Sequence, residues 1–144
     1  MVSTAIIQQA AILPYAFRKE RLELLLVTST GSKRWIFPKG HIEPGLTALE
    51  SAEFEALEEA GVVGTTNSSS IGTYNYRKRP ERGGERCRVR VFAMEVTRVL
   101  DDYPEKALRD RKWMSIRKAL EVVQEPELKV LIERFEKTVS QTEV

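Results

Sequence analysis

The sequence predicts a mixed α/β fold, a β-sheet covered by helices. Strand-like apolar segments come first, a helix with explicit end signals interrupts them, and a glycine-turned hairpin precedes two closing helical segments. With 144 residues, 42% hydrophobic and 31% charged, the chain is long enough for one core and carries no repeat or linker. Residues 1–144 are therefore expected to form a single domain.

Ala5 to Ala16 is apolar enough for a buried strand, and Leu22 to Val27 (LELLLV) reads as its neighbour across Arg18-Lys19-Glu20-Arg21. Gly31-Ser32 marks a turn. Trp35-Ile36-Phe37 is a short strand stopped by Pro38-Lys39-Gly40, and Pro44-Gly45 marks another turn. Thr47 with Glu50 fits a capping box and Gly61 fits a helix-ending position, which predicts a helix over 48–60. Ile71 to Lys78 and Arg86 to Thr97 form a hairpin through Gly83-Gly84. Trp113-Met114 is a short last strand. Ser115 caps a short helix to Val123, and Pro126 opens a final helix with Leu128, Leu131, Ile132 and Phe135 on one face.

The net charge of +2 is less informative than its distribution, with acid in residues 50–59 and base in 77–90. No apolar window has the length of a membrane span, and the N-terminal residues lack the basic region and long apolar stretch of a secretory signal. The single cysteine, Cys87, excludes an internal disulfide and multi-cysteine metal motifs. These features lead to the expectation of a cytoplasmic protein without a membrane partner, monomeric or homodimeric.

The acidic helix carries Glu50, Glu53, Glu55, Glu58 and Glu59 with no lysine or arginine between Gly40 and Val62. The last two lie near the helix C-terminus, where the backbone dipole disfavours negative charge. Ala48, Leu49, Ala52, Ala56 and Ala60 form a stripe of mostly small side chains that lets the helix lie close to a sheet. Glu59 falls at the margin of that stripe and Glu55 borders it. The i, i+3, i+4 spacing of Glu55, Glu58 and Glu59 lets all three converge. Carboxylates beside a buried stripe are costly unless neutralised, and the hard cations Mg²⁺ or Mn²⁺ prefer oxygen ligands. The plainer alternative is an acidic, solvated helix; convergence, the dipole and the glycine-rich approach loop favour a metal site.

Residues Gly40 to Val62 resemble the Nudix box. Gly40, Glu55, Ala56, Glu58, Glu59, Gly61 and Val62 fall in its register. Arg34-Trp35-Ile36, the basic strand after the box and Arg111-Lys112-Trp113 resemble the diphosphoinositol polyphosphate phosphohydrolase branch. The resemblance implies an α/β/α sandwich with a mixed sheet between helices, and hydrolysis of a diphosphate linked to another group, by water attack with divalent metal assistance. It implies Gly40 (through its carbonyl), Glu55, Glu58 and Glu59 as metal ligands, with Glu58, as the base, and Glu55 as the catalytic residues. Leu46 stands where the family has its first glutamate and Phe54 where it has arginine. The expectation is that this apolar pair helps seat the loop in place of a polar strut; the alternative is a weakened catalyst.

Residues 77–90, RKRPERGGERCRVR, hold seven cations against Glu81 and Glu85. Arg86, Arg88 and Arg90 alternate with Cys87, Val89 and Val91, which puts three guanidiniums on one strand face. Arginine suits phosphate through bidentate bonding. Arg88 and Arg111, matching basic positions of the branch, are expected substrate contacts together with Arg34 and Lys39; Lys33 is a further candidate. Arg77 to Arg82 reads as a solvated hairpin tip. The expected partner is a small-molecule phosphoanhydride carrying many phosphates, such as a dinucleoside polyphosphate or an inositol pyrophosphate. Thr65 to Ser70 and Arg79 to Arg86 are the loops expected to govern its choice.

Other chemistries find little support. His41 is the sole histidine and makes no zinc pair, Cys87 has no histidine partner, and no GxxxxGK[ST] phosphate loop is present. A binding module with slow chemistry is the main alternative, prompted by Leu46 and Phe54. RNA binding ranks last for want of an aromatic-rich motif.

Overall fold

The computed structural model describes residues 5–142, so residues 1–4 at the start of the N-terminal segment lie outside it. Strands β1 (Ile6–Arg18) and β2 (Arg21–Thr28) form a tight hairpin, turned by Lys19 and Glu20 at φ 51° and 65°. Then come β3 (Trp35–Ile36), β4 (Lys39–His41), helix α1 (Ala48–Glu55) continued by a π-helical turn (Ala56–Ala60), and β5 (Val62–Thr66). Strands β6 (Gly72–Arg77) and β7 (Arg86–Val99) flank a 3₁₀ turn at Pro80–Arg82, and β8 (Arg111–Ser115), α2 (Ile116–Val122) and α3 (Pro126–Thr142) follow.

The strands join in one mixed sheet. Its main path runs β3-β2-β1-β7-β5, with β4 on β1, β6 on β7 and β8 on β2. Only the β1–β7 pairing is parallel; every other recorded pair is antiparallel. Strand β1 reads as an apolar run from Ala10 to Phe17 because both of its faces are covered at its middle. On one face Ala10, Ile12, Leu25, Val27 and Phe92 pack against Ala52, Ala56 and Ala60 of α1 and its π turn. On the other, Leu13, Leu24, Leu26, Val89 and Val91 pack against Ala119, Leu128, Ile132 and Phe135 of α2 and α3. This is the expected α/β/α sandwich. Each fully buried Leu, Ile or Phe contributes about 1.5–3 kcal/mol. Of the small-residue stripe, Ala52, Ala56 and Ala60 are fully buried and Ala48 and Leu49 half-buried.

Two local expectations are corrected, and one strand was not anticipated. Pro38-Lys39-Gly40 does not simply stop a strand: Lys39–His41 pairs with Gln9–Ala11, carrying the chain from the sheet towards α1. The segment after Gly61 is strand β5, bulged between Val63 and Gly64 against β7. The helix over 48–60 is not uniformly α, because its last turn is π-helical. Among the described residues no helix is long and apolar enough to cross a membrane.

Candidate active site

The acidic helix is fixed at both ends. The Thr47 hydroxyl accepts from Glu50 N at 3.0 Å while the Glu50 carboxylate accepts from Thr47 N at 2.9 Å, and Gly61 ends the π turn at φ 64°. The small stripe seats the helix on β1, and β4 is paired to the same strand, so the helix carboxylates meet Lys39 and Gly40. A π turn carries an extra residue and re-aims the side chains after it. Here that turn contains Glu58 and Glu59.

Glu59 is the most deeply placed carboxylate, 6% exposed. Its Oε1 accepts from Lys39 N at 3.2 Å, and its Oε2 lies 3.4 Å from Arg109 Nη2. Burial raises its pKa to about 8, with the hydrogen bond and charge of Glu55 adding to the rise and Arg109 opposing it. Glu55 is half-buried, and burial also raises its pKa, with the charges of Glu58, Glu105 and Glu43 contributing. A Cβ built on Gly40 would stand 2.5 Å from the Glu55 carboxyl carbon, so any larger residue at position 40 would displace the Glu55 side chain. Glu58 is half-buried, and its carbonyl accepts from Glu105 N at 2.9 Å. Convergence is thus partial: Glu55 and Glu59 share a hydrogen bond, and among the described residues no three His, Cys, Asp or Glu side chains are grouped to hold an ion.

The donor chemistry nevertheless suits a divalent cation. Two carboxylates whose buried charges hold a proton too tightly are the groups a dication would relieve, and all their ligating atoms are hard oxygens.

Arg109 was not visible in the sequence as a site residue. It is about one-tenth exposed, donates from Nε to Glu105 Oε1 at 3.0 Å and from Nη1 to the Thr28 carbonyl at 3.1 Å, and pairs with Glu59. The cation missing from the acidic helix is therefore supplied by the segment ahead of β8. Only the local density of basic residues, Arg109-Asp110-Arg111-Lys112, hinted at it.

Beside Glu59 opens a cavity of about 1040 Å³. Arg34, Lys39, Arg77, Lys78, Arg79, Arg82 and Arg109 line it against Glu59, Glu81 and Glu125. Lys39 Nζ donates to the Tyr76 hydroxyl at 3.0 Å, which donates to Gln9 Oε1 at 2.9 Å. Burial lowers the Lys39 pKa while the Glu59 charge opposes that change, and Lys39 makes no ion pair among the described residues. Arg82 Nη2 reaches the Thr30 carbonyl at 3.3 Å, joining the hairpin tip to the loop at 29–34.

Several expected contacts lie elsewhere. Arg88 does not line this cavity: the alternation that buries Cys87 and Val89 turns Arg86, Arg88 and Arg90 outward on the opposite face of β7. The expected solvated tip instead supplies Arg77, Lys78, Arg79 and Arg82 to the cavity wall. Arg111 donates to the Ala60 carbonyl at 2.8 Å and the Leu100 carbonyl at 2.7 Å, with its guanidinium 4.6 Å from the Tyr103 ring centre. It serves the orphan carbonyl at the end of the acidic helix and the carbonyl just after β7. Arg111→Ala is accordingly expected to cost roughly 1–3 kcal/mol in a thermal melt. It should leave the KM of the folded fraction unchanged.

Thr65 to Ser70 lines a second cavity with Tyr15, Phe135 and Glu95, which shares no lining residue with the first. His41 is exposed on β4, and Lys33 is exposed at φ 53°. Leu46 and Phe54 are 41% and 51% exposed and join neither core cluster, so they form no apolar strut. The loop before α1 is held by the capping box and by Glu43 N donating to Ser51 Oγ at 3.1 Å.

Comparison with known proteins agrees with this architecture. The model of the NUDIX domain family matches residues 7–135. Nudix hydrolase 12, mitochondrial, of Arabidopsis thaliana is 36% identical over 121 residues, 80% of this chain and 59% of that protein. Diphosphoinositol polyphosphate phosphohydrolase 3-alpha of Homo sapiens is 30% identical over 119 residues, 81% of this chain and 69% of that protein. The chain spans 59% and 61% of the length of two of its plant relatives. Among solved structures, a C. elegans Ap4A hydrolase binary complex aligns at TM-score 0.73 and 19% identity, covering 94% of this chain and 98% of that one. A NUDIX hydrolase from Nitrosomonas europaea aligns at 0.73 and 20%, covering 93% and 90%. At these identities the structural matches speak for the fold.

Proposed function

Because the chain belongs to the Nudix domain family, we propose that it hydrolyses a phosphoanhydride in a phosphate-rich small molecule, with Mg²⁺ or Mn²⁺ bound at the acidic helix. The observation that carries this reading is the placement of the buried Glu59, with half-buried Glu55 beside it, at a cavity with seven cationic side chains in its wall. Glu55 and Glu59 would hold the metal, with Glu58 and the main chain at Gly40 as further oxygen ligands. Bound there, the metal supplies charge neutralisation and a more acidic water.

The remaining work falls to the chain. Arg34, Lys39, Arg79 and Arg82 bind the substrate phosphates. Arg109 holds Glu59 in place. Glu58 accepts a proton as water attacks phosphorus; the P–O bond to the bridging oxygen breaks, and the proton passes to the departing phosphate.

Recognition by phosphate rather than by a base is supported by the cavity's single aromatic side chain. Tyr76 already stacks with Tyr74 at 6.2 Å and carries Lys39 Nζ 4.9 Å from its ring centre. An inositol pyrophosphate or a dinucleoside polyphosphate gripped by its phosphates fits this wall.

A second reading, a module that binds polyphosphates with slow turnover, draws support from the exposure of Leu46 and Phe54. A panel of phosphoanhydrides incubated with Mg²⁺ or Mn²⁺, with products identified chromatographically, separates the two. The enzyme reading expects release of phosphate products, and the module reading expects binding without it. Glu58→Gln should keep the fold and lose turnover by about 10²–10⁴-fold; full activity in that variant would remove Glu58 as the base.

A further inference from the structure

Glu125 is an acid in a basic cavity, and neither the acidic helix nor the proposed chemistry uses it. Its place is rigid. It precedes Pro126, the first residue of α3, and its carbonyl accepts from Leu128 N and Lys129 N, both at 3.1 Å. Its side chain is only 12% exposed, with Oε2 3.6 Å from Arg34 Nη1. Gln124 Oε1 lies 3.4 Å from the same nitrogen. Arg34 is equally fixed at its backbone: its N–H donates to Ser29 Oγ at 2.9 Å and its carbonyl accepts from Ser29 N at 2.7 Å. The guanidinium is thus drawn to the α2–α3 corner, while its Nε is buried with no partner. A buried, unpaired donor is costly, and since Nε is closed to the cavity a phosphate would meet Arg34 through the exposed remainder of its guanidinium.

We propose that Glu125 is a specificity-determining residue that limits how much phosphate charge the cavity will hold. This rests on the reading of the cavity as a phosphate site. A carboxylate fixed beside Arg34 offsets one of the wall's positive charges, and at short range it repels each additional phosphate. A ligand of few phosphates can be held by Lys39 and the hairpin arginines alone. A longer one must engage Arg34 against Glu125 and so gains less from its extra charge. Repulsive elements of this kind set selectivity rather than raw affinity.

The test is calorimetric binding of inorganic pyrophosphate and inorganic tripolyphosphate to the metal-free protein, so it stands whether or not any anhydride is hydrolysed. Glu125→Gln keeps a hydrogen-bonding group and removes the charge. It should tighten tripolyphosphate binding by about three- to tenfold, tighten pyrophosphate binding less, and steepen the salt dependence of the former. Glu125→Asp should stay close to wild type. Unchanged or weaker tripolyphosphate binding in a folded Glu125→Gln would overturn the proposal, as would an equal gain for both ligands. Should Glu125→Gln fail to fold, Arg34→Gln serves instead, because it leaves Glu125 unopposed. It should weaken tripolyphosphate more than Arg79→Gln does, and an equal or smaller loss rejects the assignment. If wild type binds neither anion, the phosphate reading of the cavity itself fails.

Discussion

Glu59→Gln should lower turnover by about 10³-fold while making the metal-free protein more stable in alkaline solution than the wild type. The two effects share one cause. The Glu59 carboxylate is buried and its pKa is raised to about 8, so folding favours its protonated form. A group whose pKa is higher in the folded chain contributes stability below its ordinary range, near 4.5, and loses that contribution as pH rises through about 8. In chelator-treated protein, wild-type stability should therefore fall between pH 5 and 9 by an amount that glutamine, which does not titrate, removes. The difference at pH 9 is expected on the order of 2 kcal/mol. It is kept modest because Arg109 loses its partner Glu59 and retains Glu105 and the Thr28 carbonyl. Denaturant melts of both proteins at pH 5 and 9, with chelator present, measure it. A parallel pH dependence in the two would show that Glu59 is not the group responsible.

Gly40→Ala should be nearly as damaging through a different route. The added methyl would stand 2.5 Å from the carboxyl carbon of Glu55 and 2.6 Å from its Oε1, well inside ordinary contact. The backbone at Gly40 is held by pairing with Ala10, so the side chain must give way. A shift of about 1 Å in a catalytic group costs on the order of 10²-fold in rate, and the overpacking should add roughly 1–3 kcal/mol of destabilisation. Steady-state kinetics with a thermal melt separates the two effects. Wild-type kcat in Gly40→Ala would mean that Glu55 need not stay where it is.

The acidic helix was legible in the sequence because each of its signals is local: the capping box, the ending glycine and the alanine spacing. The strand faces were legible too, since period-two alternation in β7 buries Cys87, Val89 and Val91 as expected. Alternation does not say which face of a strand borders a cavity, however. That is why Arg88 was expected at the substrate and Arg77 to Arg82 were read as a solvated tip, although the loop at 79–86 was expected to govern substrate choice. The fold bends Arg77 to Arg82 over the loop at 29–34, a contact between segments some fifty residues apart that no local pattern encodes. Arg109 was hidden for the same reason, its three partners arriving from β2, the π turn and its own loop. The strand at Lys39–His41 was masked by its flanking proline and glycine, whose turn preference yields here to pairing with β1. The π turn was masked because its composition is that of any helix.

The central claim is that Glu55 and Glu59 together bind a divalent ion for phosphoanhydride cleavage. Manganese titration by calorimetry, in the presence of the non-hydrolysable analogue methylene diphosphonate, tests it most directly in wild type and in Glu55→Gln/Glu59→Gln. The expected result is saturable uptake by the wild type that disappears in the double variant. Equal uptake by both proteins would place the ion elsewhere and contradict the claim.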